Sequence, residues 1–388
     1  MKVLYVNHTS LVSGGEHSLL ALVEHLPAEV EPAIACPEGP LEQAARGLGV
    51  PTHRLRGTAG SLRLHPWHTP KALAELSWDA LKLGRLAARL GVDVVHANSV
   101  RAGLSASLGA RRGAPPLIVH VRDVLPPGRA TEMTRRLVSR RAAAIVSNSQ
   151  YTERAFVAPG SEVRTMVAFS PIDLVRFDPD RRDRTAARER LGLDASAVAA
   201  GVVAQLTPWK GQEDAIRALG LLRDSRPELR LLLVGSAKFS SSATRYDNLA
   251  YTRSLERLVD ELGLGGRVEF LGERRDVPEI MRALDLVLVP SWEEPFGRSV
   301  GEAMAMGVPV AATEVGGPAE LIGDGQEGLL VAPRRPDLWA AALERLIDDG
   351  ELRKSMGLAG RKRAAEELDV RRHAERLVSL YSQVLQGA

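Results

Sequence analysis

Eleven short apolar runs, most of them followed by a longer amphipathic stretch, constrain this chain more than any other feature. In the first half they are KVLYVN (2–7), EPAIAC (31–36), DVVHAN (93–98), PLIVHV (116–121), AAIVSN (143–148) and VRTMVAF (163–169). In the second half they are AVAAGVVAQL (197–206), LRLLLVG (229–235), RVEFLG (267–272), LDLVLVP (284–290) and VPVAAT (308–313). Continuous Val, Leu and Ile predict strands covered on both faces, as in a parallel sheet. Helical patterns between them, for example 16–26 and 71–90, predict the doubly wound α/β class.

The alternation breaks once, at SPIDLVRFDPDRRDRTAARERLGLD (170–194), which is polar, Arg-rich and carries two prolines. With 388 residues and about 150 per domain, the expectation is two α/β domains, 1–170 and 196–366, joined by a linker at 171–195. The pattern after 335 is purely helical (336–348, 350–366 and 369–386), and 367–388 forms a closing segment. A ligand is expected in a cleft between the domains, at the carboxyl ends of the strands.

Composition narrows the classes. The net charge of +3 is too small to imply nucleic-acid binding. Only seven of the 51 basic residues are Lys, so a Lys at a strand-end turn is informative. The single cysteine, Cys36, excludes a disulfide within the chain, and its strand predicts a core thiol. MKVLYVN reads as a strand, not a signal peptide, and no apolar run reaches about 18 residues. The expected location is cytoplasmic. Peripheral membrane contact is an open reading of RRLVSRRAA (135–143), where Arg136 and Arg140 share a helical face; a solvated face is the other.

Three strand–loop–helix junctions carry candidate chemistry. SWEEPFGRSVGEAMAM (291–306) places Glu294 in a loop at a strand end and Glu302 one turn into the next helix. The amides around Gly297, Arg298 and Ser299 suit an anion at a helix start, and ionised carboxylates accept from sugar or ribose hydroxyls. A helix-dipole role for Glu294 and a solvated Glu302 form the bland alternative. AQLTPWKGQEDAI (204–216) puts Lys210-Gly211 at a helix start, where Lys210 meets a phosphate or is a plain surface lysine. VNHTSLVSGGEHS (6–18) carries Gly14-Gly15, which permits close backbone approach but is not a dinucleotide fingerprint. Weaker candidates are DPD (178–180) as a metal motif, against a plain linker stretch with a Pro inside, and His96 and His120 at strand ends, where a lone His is more often structural; the loop 57–71 is a candidate for acceptor contacts.

These junctions together resemble the retaining glycosyltransferases of the GT-B fold, family 4. SGGEHS, QLTPWKG and EPFGRSVGEAMAMGVPV followed by ATEVGGPAELI carry the match, with Glu294 and Glu302 in its E-x7-E signature. The resemblance implies two Rossmann-like domains facing a central cleft, with the last helix crossing back onto the first domain. It implies a nucleotide-diphospho-sugar donor, a UDP- or GDP-sugar, held by the second domain. Glu294 would contact the donor sugar and Glu302 the ribose. Lys210 and the amides of Phe296 to Ser299 would neutralise the departing diphosphate, with Gly14-Gly15 closing on it. The resemblance also implies that a metal and other cofactors are not required and that the anomeric configuration is retained, by a front-face mechanism.

Two positions depart from the family. Gln205 stands where an Arg is usual, and VHVRD places Arg122 where a His is usual, with His120 two residues earlier. Strand alternation puts 120 and 122 on one face, so either is a candidate for the sugar or phosphate. Rival readings are a sugar-nucleotide epimerase, a sugar phosphorylase and a non-catalytic nucleotide-sugar sensor.

Overall fold

In the computed structural model, which describes residues 1–57, 69–110, 113–238 and 246–387, every predicted apolar run contains a strand. The first sheet comprises β1 (Lys2–Val6), β2 (Glu31–Cys36), β3 (Thr52–Arg54), β4 (Val94–Ala97), β5 (Leu117–Val121), β6 (Ala144–Ser147) and β7 (Arg164–Val167). The second comprises β8 (Val198–Val203), β9 (Leu229–Val234), β10 (Val268–Gly272), β11 (Leu286–Val289), β12 (Val310–Thr313) and β13 (Gly328–Val331). Strand orders are β3-β2-β1-β4-β5-β6-β7 and β10-β9-β8-β11-β12-β13, parallel throughout. Both orders reverse once, between β1 and β4 and between β8 and β11. Those reversals are the switch points where doubly wound sheets open a crevice.

The chain forms two compact units, Met1–Pro171 with Val370–Ala388, and Ile172–Asp369. The segment 171–195, expected as a linker, therefore belongs almost wholly to the second unit. Arg184 and Arg188 both grip Asp285, at 2.7 and 3.2 Å, and Asp285 also accepts from the Ala199 amide at 2.8 Å. This carboxylate fastens the Arg-rich segment to the start of β8. Within it, Asp178 caps a short 3-10 turn, and Asp178 and Asp180 bind Arg361 at 3.1 and 2.8 Å. The D-x-D spelling is thus accounted for by a turn and an ion pair. The loop 57–71 falls largely on 58–68, outside the described residues.

The closing helix Val370–Gln386 completes the first unit. His373, Ala374, Leu377, Leu380, Tyr381 and Val384 recur at helical spacing and are buried. Several of them join the core that includes Val3, Tyr5, Leu19, Leu22 and Cys36. Burial pushes the Cys36 thiol up to about 12, which leaves it an inert core group. Beneath the same helix lies a polar pocket in the core. Tyr381 Oη sits 2.6 Å from His96 Nδ1 and 3.3 Å from Tyr5 Oη. His120 stacks on His373 with ring centroids 6.3 Å apart.

All three histidines are buried. Loss of solvation, with the Arg122 charge close by, lowers His96 and His373 to about 3 and His120 well below the usual imidazole range. They stay neutral in the folded chain and take up protons only on unfolding. Their pKa values are lower folded than unfolded, so stability is full above about 6.5 and falls as pH drops towards 3. Each histidine steepens that fall by up to about 1.4 kcal/mol per pH unit. Urea unfolding of wild type and His373→Gln between pH 7 and 5 should show a shallower pH slope in the variant. Equal slopes would mean His373 is not held neutral by the fold.

Candidate active site

Three strand-end loops of the second unit meet because glycines remove side chains where backbones touch. Gly211 is left-handed (φ 69°), and a Cβ there would lie 1.9 Å from the Pro290 carbonyl oxygen. The Trp292 amide donates to the Trp209 carbonyl at 2.8 Å, zipping the loop after β8 to the loop after β11. Gly316 is also left-handed (φ 99°), and its Cβ would lie 2.1 Å from the Glu294 carbonyl oxygen. At Gly317 a Cβ would come within 2.4 Å of Phe296 Cα. The loop after β12 therefore seats the backbone of Glu294 to Phe296 directly, and the Gly317 amide donates to the Glu294 carbonyl at 2.9 Å.

This seating brings Lys210 Nζ to 2.6 Å from Glu294 Oε2, and Ser291 Oγ donates to the same oxygen at 2.8 Å. Glu294 is only 6% exposed. A carboxylate buried that far is tolerable because a cation and a hydroxyl satisfy it. Both bonds end on Oε2, so Oε1 is the oxygen left to accept from a ligand. Lys210, Ser291, Glu294 and Ser299 line one recess at the switch point between β8 and β11.

The other predicted residues of the second unit lie on the same loops and the helix that follows. Gly297 (φ 89°) is the left-handed cap before the helix Arg298–Ala305. Arg298 and Ser299 open that helix, and Phe296 is buried beneath it. Glu302 pairs with Arg298 one turn back, Nε to Oε1 at 2.7 Å, and burial pushes its carboxyl above the usual range against the pull of that Arg. Gln205 is half-buried, and its carbonyl accepts from Gln212 Nε2 at 2.9 Å. Among the described residues no three His, Cys, Asp or Glu side chains gather as a metal site.

A brace behind the recess was not foreseen from sequence. Arg334 is the one non-glycine residue with positive φ (58°) among those described, and its guanidinium lies 3.9 Å from the Trp292 ring centroid. Buried Asp214 accepts from the Trp292 side chain and the Arg334 backbone, and burial raises its carboxyl above the usual range. These groups come from three separate segments and fix Trp292, two residues from Glu294.

In the first unit, the strand ends carry a polar relay. Arg122 Nη2 and Nε donate to Asn98 Oδ1 at 3.0 and 3.2 Å, and Asn98 Nδ2 donates to Asn7 Oδ1 at 3.0 Å. Asn7 in turn donates to Glu16 Oε1 at 3.0 Å. The same glutamate accepts from the Ser13 amide at 3.1 Å, capping the helix that Gly14 and Gly15 open. A Cβ on Gly15 would lie 3.2 Å from Arg122 Cδ, so the missing side chain lets Arg122 pass beside the helix start. Of the two readings of His120, the structure agrees with the structural one. His120 is fully buried, with Nδ1 3.2 Å from Arg122 Nη2, because the closing helix covers it with His373. An arginine only donates, so His120 Nδ1 accepts and the ring orients Arg122.

The glycine seat gives a direct test. Gly316→Ala must shift the Glu294 backbone or itself and force a side chain into a left-handed position. We expect a loss of roughly 2 kcal/mol or more in unfolding free energy by urea denaturation. A wild-type midpoint would show that the loop does not need the close approach.

Two family models match: "Glycosyl transferase 4-like domain" over residues 13–171 and "Glycosyl transferases group 1" over 183–363. D-inositol 3-phosphate glycosyltransferase of Mycolicibacterium gilvum is 35% identical over 317 residues, covering 79% of this chain and 65% of that one. Its counterpart in Mycobacterium sp. strain KMS is 32% identical over 337 residues, covering 85% and 70%. The chain spans about two thirds of the length of the curated relatives it matches. Among solved structures, Anabaena HepE in complex with UDP-glucose superposes with a TM-score of 0.84 at 25% identity, covering 99% of this chain and 100% of that one. The lipopolysaccharide-biosynthesis glycosyltransferase WaaG shares the fold, with a TM-score of 0.70 at 19% identity and coverage of 98% and 99%. With both sheets, both family models and these relatives in agreement, the chain belongs to the group 1, family 4 glycosyltransferases of the GT-B fold.

Proposed function

We propose that this protein transfers a sugar from a nucleotide-diphospho-sugar to an acceptor hydroxyl, with retention and without a metal. The observation that carries the reading is the 2.6 Å Lys210–Glu294 pair in a recess shared with Ser299, at the switch point of the second sheet. A departing nucleoside diphosphate needs positive charge where its oxygens gather it. We assign that charge to Lys210 and to the first-turn amides of the helix beginning at Arg298. Glu294 Oε1 then accepts from donor sugar hydroxyls, while Lys210 and Ser291, both donating to Oε2, hold the carboxylate in place. Glu302, steadied by Arg298, is assigned to the ribose hydroxyls, and Gln205 to uncharged contacts with the diphosphate. In the first unit, Arg122 and the helix start at Gly14-Gly15 are assigned to anionic groups of the donor. His120 is assigned to orienting Arg122.

The UDP and UDP-glucose held by HepE favour a UDP-sugar over a GDP-sugar. The relatives named for D-inositol 3-phosphate make that phosphorylated polyol the first acceptor to try. Among the described residues no helix is long and apolar enough to cross a membrane.

The test pairs binding with turnover. A ligand of the native state raises its melting temperature, so a thermal-shift panel of UDP- and GDP-sugars identifies the donor. With that donor, Glu294→Gln should lose roughly 10²–10³-fold in kcat while still binding UDP, the scale of removing one group that acts on the transition state. Transfer at the wild-type rate in that variant would sink the assignment of Glu294.

A further inference from the structure

A groove of about 650 Å³ lies at the outer edge of the first sheet. Its walls are β3, the helix Pro40–Gly47 and the helix Thr69–Leu90. Two of its cations are matched. Arg46 binds Glu42 at 2.7 Å and Thr52 Oγ1 at 2.9 Å, and Arg54 binds Glu38 at 2.9 Å. The remaining cations, Lys82 and Arg89, have no carboxylate among the described residues. They stand two turns apart on one helix face, on either side of Leu86, and line the groove together with His53. Residues 58–68 contain no Asp or Glu, so that stretch of sequence supplies no counter-charge either.

We propose that this groove binds a phosphate dianion, free or as part of a phosphorylated compound, between Lys82, Arg89 and His53. With Glu38 and Glu42 already taken up by Arg54 and Arg46, Lys82 and Arg89 leave the groove with an excess of positive charge that repels itself, and a dianion reverses that sign. His53 reports the balance. Its own partial burial comes first, then the charges of Arg89 and Lys82, and together they hold its imidazole below the ordinary value. Arg46 and Arg54 add to the positive field, while Glu42 and Glu38 oppose it but are already paired. An anion in the groove would favour protonated His53, so binding should raise the His53 pKa. The proposal does not depend on the sugar-transfer reading, and no residue assigned to that chemistry lines the groove.

The probe is inorganic pyrophosphate, and the readout is the His53 imidazole proton resonance by NMR, assigned by its loss in His53→Gln. Pyrophosphate should shift that resonance saturably and raise the His53 pKa. Lys82→Ala with Arg89→Ala should weaken binding roughly tenfold, from two exposed charge contacts of up to about 1 kcal/mol each. Both positions are exposed on a helix, where Ala is well tolerated. A parallel arm uses vesicles of phosphatidylcholine with phosphatidic acid. A response to pyrophosphate supports a soluble phosphate source, and a response to the vesicles alone supports a lipid headgroup. No His53 response to either probe, or an equal response in the double variant, overturns the site.

Discussion

The candidate site depends on backbone contacts that no side chain could survive. Gly211 lies against the Pro290 carbonyl and Gly316 against the Glu294 carbonyl, each at a distance that excludes a Cβ. Both glycines are left-handed, so the loops need them for conformation as well as space. Without these close approaches the loops that carry Lys210 and Glu294, 84 residues apart in sequence, could not stack at this spacing. The ion pair is therefore a consequence of how three loops stack, and the sheet order that brings β8, β11 and β12 side by side is the prior cause.

The two units handle buried polarity differently. In the second, charge is kept and matched: Glu294 with Lys210, Glu302 with Arg298, Asp285 with two arginines. In the first, the deep polar groups are mostly neutral, with three histidines and two tyrosines closed under the last helix. Arg122 stands at the edge of that neutral cluster, held by Asn98 and His120. Such an arrangement pre-orients a charge at low cost in side-chain freedom, which suits a group that meets an anion.

Much of the fold was legible in sequence because buried parallel strands announce themselves as continuous Val, Leu and Ile. β3 escaped because Thr-His-Arg has no apolar signature, whereas β13 (Gly-Leu-Leu-Val) is as short as β11 and nearly as apolar, and carried a readable signal. The segment 171–195 looked like a linker because its packing uses arginines on Asp285 instead of apolar contacts. Site residues adjacent in sequence, from Glu294 to Glu302, were readable from spacing and from the resemblance. Those assembled from distant segments, Asp214 with Trp292 and Arg334, were not, although the Gly-Gly after β12 was a visible mark of close approach. Strand alternation put His120 and Arg122 on one face but does not give what covers His120, so its burial under the closing helix was not readable.

The central claim is that Lys210 meets the diphosphate of a nucleotide-sugar in the second unit. The most direct measurement is calorimetric binding of UDP and of uridine to wild type and to Lys210→Met, which keeps the length of the side chain and removes its charge. The account predicts that the variant loses UDP affinity by roughly tenfold or more, as expected for a charge-assisted contact worth about 1.5–3 kcal/mol. Uridine affinity should be unchanged. Equal UDP affinity in the two proteins, or equal losses for UDP and uridine, would contradict it.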